Sequence, residues 1–402
     1  MTGALADVDR PRAAPTAESA AHDRPWQQAR RTARQAAAAP LPTEPVPLAA
    51  ALGRTLAEPL AAVTDLPGFD TSAMDGWAVA GPGPWRPAGR LLAGAAPGPL
   101  ADGAAVEIAT GAQLPPGATG VLRREHGRTA HGLLHGEVGP GQDVRPRGQE
   151  CRSGETLLPA GTRVTAAVLG LAAAAGHDVL TVRRRPTVEL LLLGDELLDS
   201  GVPGPGLVRD ALGPLLPPWL AAAGAETLPA RRIGDDRTLL RDALRNSPAD
   251  VVVTTGGTAA GPADFLHAAL GEAGARLLVD GVAVRPGHPM LLAALPGGRH
   301  LVGLPGNPLA AAAGALTLAL PLLDALAGRA EPTTRAEPAA VDLPGHPEDT
   351  RLVPVVRTAD GLVPLRFDGP AMLRGLALAE AVAVVPPGGV PAGGRAEVLE
   401  LP

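Results

Sequence analysis

DVVVTTGGTAAGPADF, residues 250–265, is the stretch whose reading decides the fold. Three valines and two threonines in a row favour an extended strand buried on both faces, as in a parallel sheet. The run stops at Gly256 and Gly257, meets Gly261, and passes into a segment that predicts a helix over 263–273. Glycine permits positive φ and close approach of backbone to a ligand. A strand that ends in a glycine turn and feeds a helix is the repeating unit of a doubly wound α/β sheet. The pattern is neither a phosphate-loop motif nor a dinucleotide fingerprint. A plain tight turn is the competing reading, and the rule that ligands bind beyond the carboxyl ends of strands favours the anion-binding one.

The same unit recurs on either side. TVELLLL (187–193) reads as another central strand, followed by a helix near 210–223, a strand near 226–232 and a helix over 236–246. Downstream, HLVGL (300–304) runs into GLPGNP (303–308) and a long helix over 308–327. Asn307 suits an N-cap and Pro308 the first helical position. Capping accounts for those two residues, but not for two glycine turns ending neighbouring strands. Together the turns predict one anion-binding crevice beyond the carboxyl ends of the strands, supported by backbone amides and helix dipoles. Its candidate lining is Gly256, Gly257, Thr258, Gly261, Gly306, Asn307 and Pro308. GDEL (194–197) ends a further strand. Asp195 and Glu196 are adjacent and point in different directions, so at most one faces the crevice; Asp195 could instead cap the following turn. VRPGHPM (284–290) sets Arg285 and His288 around a Pro-Gly turn, suited to an oxyanion or to a solvated loop.

The flanks differ. Residues 1–24 lack periodicity and read as disordered. Residues 25–39 favour helix, 48–56 a short helix, 165–175 a helix and 178–183 a strand. Between 63 and 152, WAVAG, RLLAG, AVEIATG, GVLRRE and HGLLHGEV alternate with Gly/Pro turns, which predicts a small antiparallel β domain. Residues 331–402 return to short strands, as in a small β barrel or sandwich. The expected division is 1–24 disordered, 25–62 with 153–185 a linking αβ domain, 63–152 an inserted β domain, 186–330 the α/β domain and 331–402 a C-terminal β domain. The helix over 25–39 is expected to pack on the α/β domain.

Composition narrows the function. The 402 residues suit several domains. With 46% hydrophobic but only 2% aromatic residues, the cores must be built from Leu, Val and Ala. A net charge of -6 argues against a general nucleic-acid binder. There is no lysine, so every permanent cation is an arginine. The single Cys151 excludes an intrachain disulfide and a cysteine zinc cluster, and the nine histidines show no metal-ligand spacing. Leu309–Leu323 comes nearest to a membrane span but holds Pro321 and stops at Asp324. The N-terminus lacks an apolar signal-peptide core. A soluble, cytoplasmic protein is expected.

A second stretch carries a more specific signal. DLPGFDTSAMDGWAV (65–79) sets one carboxylate, Asp75, between small residues and a glycine, where burial without a partner would be costly. It resembles the P-x-F-D/N-x-S-A-M-D-G-Y/W-A-V loop of the molybdopterin molybdenumtransferases, or molybdenum insertases, the family that includes the E domain of gephyrin. IATGAQLPPGATGV (108–121), VRPRGQECRSGETLLPAGTRV (144–164), GDEL, GLVRDALGPLL (206–216), the 254–265 turn, RPGHP and GLPGNP resemble further motifs of that family in the same order. The resemblance spans about residues 25–402. It implies an elongated four-domain subunit that forms a homodimer, with the S-A-M-D-G loop serving the cleft of the partner. It also implies the substrates molybdopterin-AMP and molybdate, the ion Mg²⁺, release of AMP, and contact with the molybdopterin adenylyltransferase. Carried over, Asp75, Asp264 and Glu150 are the catalytic candidates, and Asp75, Asp264 and Glu196 the metal candidates. Thr110, Asp195, Glu196, Asp210, the glycine turns, Arg285 and His288 are the substrate candidates.

Departures from the family pattern gather around the same motifs. Glu150 stands where the family has Asp, and Leu192, Leu193, Ala211, Leu212, Ala259 and Ala310 where it has polar side chains. Arg285 and His288 stand where it has lysines. Two readings follow: an active transferase with altered affinity, and a non-catalytic paralogue that binds molybdopterin as a carrier or scaffold. A nucleotide-binding α/β protein acting on another pterin is a third.

Overall fold

Val251–Thr255 lies between Thr187–Leu193 and His300–Leu304 and runs parallel to both. Val253 is opposite Leu190 on one side and Val302 on the other; Thr255 is opposite Leu192 and Leu304. The three strands therefore end level with one another. All five residues of Val251–Thr255 are buried, which is why the sequence shows a continuous apolar run and no alternation. The structure, a computed structural model, describes residues 22–92, 94–258, 265–331 and 333–402. It divides into two compact units, Glu44–Val182 and Met1–Thr43 with Arg183–Pro402.

The larger unit holds the level strands, with helices covering both faces. Val252, Leu191 and Leu301 pack on Leu240 and Leu244 of helix Arg237–Asn246 and on Leu266 and Leu270 of helix Phe265–Glu272. On the other face Val251, Val253 and Leu190 meet Leu216 and Leu220 of helix Leu212–Ala222. The Arg237 helix falls where expected, and Asp236 caps it by accepting from the amides of Thr238 at 2.7 Å and Leu239 at 3.0 Å.

Beyond His300–Leu304 the sheet turns antiparallel. Leu291–Ala294 and Arg276–Arg285 form a hairpin there, two strands that the sequence reading did not anticipate. Val284 and Arg285 then pair with Thr350 and Arg351, so the C-terminal strands Thr350–Thr358, Ala381–Val385, Arg395–Glu400 and Arg335–Pro338 continue the same sheet. The expected mostly parallel sheet is thus a parallel core with an antiparallel extension. The C-terminal strands keep a core of their own around Val353, Val355 and Ala383.

Two N-terminal elements belong to this unit. Helix Trp26–Ala36 buries Trp26, Ala29 and Ala33, spaced three and four apart on one stripe. The Trp26 indole donates to Thr317 Oγ1 at 3.0 Å. His22–Pro25 is a strand parallel to Arg276–Arg285, with Arg24 opposite Val282. This corrects the reading of 1–24 as wholly disordered, because an available sheet edge supplies the order that composition withholds; residues 1–21 lie outside the described residues. The long C-terminal helix is Pro308–Gly314, a π-turn at Ala315–Ala319, and Leu320–Leu326. Pro321 brings no N–H to it, one cause of an irregular ladder. Pro308–Leu326 is long and apolar enough to cross a membrane, yet 83% of its 18-residue window is buried in the protein, as in a core helix.

In the smaller unit, Gly76–Val79 runs antiparallel to both Ala104–Ile108 and Gly120–Arg123. Arg86–Leu91 joins parallel to Ala104–Ile108, a departure from the expected all-antiparallel sheet. The chain over 92–103 is long enough for the crossover that a parallel pair needs. Gly76 is obligatory: a Cβ there would sit 2.0 Å from the Leu122 carbonyl oxygen. Helix Ala166–Ala174 and strand Val179–Arg183 fall where expected, while the helix over 48–56 shrinks to Leu48–Ala51 before Gly53 at φ +76°. Cys151 is buried against Ala62 and Ala175, where burial raises its thiol pKa, the setting of a small packing residue.

Candidate active site

Beyond the level strand ends of the larger unit lies a cavity of about 860 Å³. Gly194 and Glu196 line it after the first strand, Gly234, Asp235 and Asp236 after Arg231–Ile233, Gly256 and Gly257 after Val251–Thr255, and Gly306, Asn307 and Pro308 after His300–Leu304. The glycine turns abut. The Gly256 amide donates to the Leu304 carbonyl at 2.8 Å, and a Cβ on Gly306 would lie 3.6 Å from the Gly256 Cα. Gly256 and Gly257 sit at φ +86° and +66°, conformations glycine reaches without strain. Leu193, Leu197, Leu212, Leu240, Phe265, Leu266, Ala371 and Leu373 make the rest of the wall largely apolar.

Four carboxylates reach this cavity, and two already have a structural task. Asp210 accepts from the amides of Leu212 at 2.9 Å and Gly213 at 3.0 Å, and Asp236 caps its own helix. Glu196 and Asp235 line the cavity and cap no helix. Of the adjacent pair, Glu196 faces the cavity and Asp195 does not; the Asp195 carboxylate lies beside Gly234. Thr258 is buried without lining the cavity. Gly261, Asp264 and Ala259 lie outside the described residues.

Arg285 and His288 do not line this cavity. Arg276–Arg285 runs parallel to His300–Leu304, with Asp280 level with Leu291 and Gly303, so Arg285 lies past the same carboxyl end; a Cβ on Gly287 would lie 3.1 Å from the Ala310 carbonyl oxygen of the Pro308 helix. The Arg285 Nε binds Asp349 Oδ2 at 2.7 Å. His288 donates from Nδ1 to the Val282 carbonyl at 3.0 Å, and its Nε2 lies 3.4 Å from Asp23 Oδ1. Both side chains are thus engaged with carboxylates of their own surroundings.

In the smaller unit the S-A-M-D-G loop is threaded among its neighbours. The amides of Gly111 and Ala73 donate to the carbonyls of Ser72 and Asp143, both at 2.8 Å. Asp75 Oδ1 accepts from the Thr110 amide at 2.8 Å and its hydroxyl at 3.2 Å. These two bonds, the amide first, hold the Asp75 carboxyl below the usual carboxylate range, with Arg124 adding to the effect. A depressed pKa keeps Asp75 ionised at neutral pH and confines its titration to the acid side of ~3.9. Thr110→Val removes the hydroxyl bond and should move the acid limb of the pH–activity profile to higher pH; an unmoved limb would separate Thr110 from Asp75 in function. Glu150 lines a different hollow, of about 480 Å³, with Leu66, Pro67, Thr71, Arg145 and Gln149.

Several cavity residues escaped the sequence reading. Asp235 and Asp236 follow a short strand, where the strand-end rule that found Gly256 would also have found them. Arg209, Ala371 and Leu373 carry no local signal. Among the described residues no cluster of three metal-ligating side chains occurs.

Comparison with known proteins covers the whole of this architecture. Residues 24–176 match the family described as the MoeA N-terminal region (domain I and II), 189–325 a probable molybdopterin binding domain, and 337–401 the MoeA C-terminal region (domain IV). The molybdopterin molybdenumtransferase of Nostoc sp. is 31% identical over 391 residues, 90% of this chain and 89% of its own. That of Bacillus subtilis is 31% identical, covering 89% of each. A solved structure of a molybdopterin biosynthesis MoeA protein from Pyrococcus is 26% identical with a TM-score of 0.74, covering 94% of this chain and 99% of that one.

Proposed function

The chain belongs to the molybdopterin molybdenumtransferase family, and from that membership we propose that the cavity at the strand ends receives adenylylated molybdopterin. The protein acts in molybdenum cofactor biosynthesis, inserting molybdenum into molybdopterin. Transferases match nearly the full chain, which disfavours the non-catalytic scaffold. The observation that carries the proposal for the site is the meeting of two glycine turns in one cavity with two carboxylates that cap no helix.

In this reading the backbone at Gly256–Gly257 approaches the phosphoanhydride, and the amides after Gly256, whose own N–H is taken by Leu304, stabilise the charge that develops as AMP leaves. Glu196 and Asp235 offer hard oxygen donors. Mg²⁺ takes one or two carboxylates and completes its shell with water and substrate phosphate, so this donor set fits it. When bound, the ion would neutralise phosphate charge. Asp264 is proposed as a further ligand. The apolar wall of Leu193, Leu240 and Phe265 accommodates a planar ring. Asp75, kept ionised by Thr110, and Glu150 are proposed to act from a second copy of the chain in a homodimer. We extend the proposal to the four-domain division, a barrel-like C-terminal domain, a cytoplasmic location and contact with the adenylyltransferase.

Glu196→Gln tests the cavity. The amide keeps shape and loses charge, and AMP release from molybdopterin-AMP should fall by roughly 10²-fold, as for loss of a placed electrostatic group. Wild-type AMP release in this variant would take Glu196 out of the reaction.

A further inference from the structure

The helix that follows the second glycine turn has no amide left for an anion. Pro308, at its first position, has no N–H. The next two amides, of Leu309 and Ala310, both donate to the carbonyl oxygen of Pro370, at 2.9 Å and 3.2 Å. Ala311 then begins the regular ladder by donating to Asn307 O at 2.8 Å. The acceptor comes from the loop before helix Arg374–Leu378 in the C-terminal strands, some sixty residues along the chain. Ala371 and Leu373 of the same loop line the cavity.

The loop is held in place. Asp368 Oδ2 accepts from Arg351 at 2.6 Å, and the Met372 amide donates to Gly369 O at 2.9 Å. Phe367 takes φ +66° over Gly375, where a Cβ would lie 2.7 Å from the Phe367 carbonyl oxygen. The Arg374 guanidinium stacks on the Phe367 ring at 4.6 Å. One end of the cavity is therefore walled by an apolar loop whose carbonyl oxygen occupies the helix start.

We propose that the loop Gly369–Leu373 is a specificity-determining wall of the cavity: Pro370 seals the start of the Pro308 helix, so the ligand's phosphates are held at the Gly256–Gly257 turn and not at that helix. The inference rests on the reading of the cavity as the adenylylated-molybdopterin site and adds the direction in which the ligand lies. Phosphate belongs at the open glycine turn, and an uncharged part of the ligand belongs against Ala371 and Leu373.

Titrating the full-length protein with AMP and with inorganic pyrophosphate, while following backbone amide signals, tests this. The Gly257 and Thr258 amides should shift on addition, while those of Leu309 and Ala310 stay in place and slow to exchange. Movement of Leu309 or Ala310 to the same degree would overturn the wall and leave the cavity assignment standing. Silence at both turns would overturn the wall and the cavity assignment together. Ala310→Pro deletes one sealed amide in a first turn that tolerates proline. AMP affinity should remain within about twofold, whereas a loss of tenfold or more, the scale of one charged hydrogen bond, would show the helix amides binding the ligand. Should this variant not fold, the amide titration of the unaltered protein still decides.

Discussion

Asp75→Asn lowers molybdenum insertion by at least ~10²-fold, the scale of losing one well-placed electrostatic group. The change keeps the size of the side chain and an oxygen for the Thr110 amide, which now binds Asp75 Oδ1 at 2.8 Å. The charge is what disappears. Asp75 is exposed, and its loop is fixed by backbone bonds from Ala73 and Arg124 that the substitution does not touch. The fold should therefore survive, with an unchanged thermal transition. The two bonds from Thr110 hold the exposed carboxylate in place and favour its charged form. Insertion at the wild-type rate in a folded Asp75→Asn protein would remove both the metal-ligand and the acid–base role.

The second large effect falls on stability. Trp26→Ala should destabilise the larger unit by about 4 kcal/mol, within the range for emptying a buried aromatic site and close to a thousandfold in the folding equilibrium. Trp26 is 1% exposed and fills the space between its helix and the π-turn at Ala315–Ala319. Its removal also takes a donor from Thr317, which is wholly buried and whose own hydroxyl proton goes to Ala313 O at 2.7 Å. Denaturant unfolding measures the loss. Trp26→Phe, which keeps most of the apolar volume, should recover the larger part of it. An unchanged midpoint for Trp26→Ala would mean that the N-terminal helix is not part of the core.

The sequence exposed those parts of the fold that depend on local pattern. Val251–Thr255, Thr187–Leu193 and His300–Leu304 were legible because strands buried on both faces must be apolar throughout, and the glycines after them because positive φ selects glycine. The hairpin of Arg276–Arg285 and Leu291–Ala294 was missed, although LLVDGVAV and LLAAL are apolar enough and Gly274, at φ +73°, ends the preceding helix; Gly281 and the Pro-Gly turn break its apolar pattern into short pieces. His22–Pro25 could not be foreseen, since its order comes from a partner strand more than two hundred residues away. The site divides in the same way. Glu196 and Asn307 sit at strand ends and were found. Ala371 and Leu373 reach the cavity through the joining of the C-terminal strands to the α/β sheet, a long-range pairing that leaves no mark in the local sequence. Arg285 and His288 show the converse, a suggestive composition on residues that do not line the cavity.

The polar-to-apolar departures now have locations. Leu193 and Leu212 lie in the wall of the cavity itself, and Ala310 donates its amide to Pro370. The apolar wall leaves backbone groups, Arg209, Asn307, Thr255 and the carboxylates as the polar lining of the cavity.

The most direct test combines the purified protein with molybdopterin-AMP, Mg²⁺ and molybdate and follows AMP release. Release of one AMP for each molybdenum gained by the pterin is the predicted result. Tight retention of molybdopterin-AMP with no AMP set free would contradict it, and would leave the cavity as a binding site without chemistry.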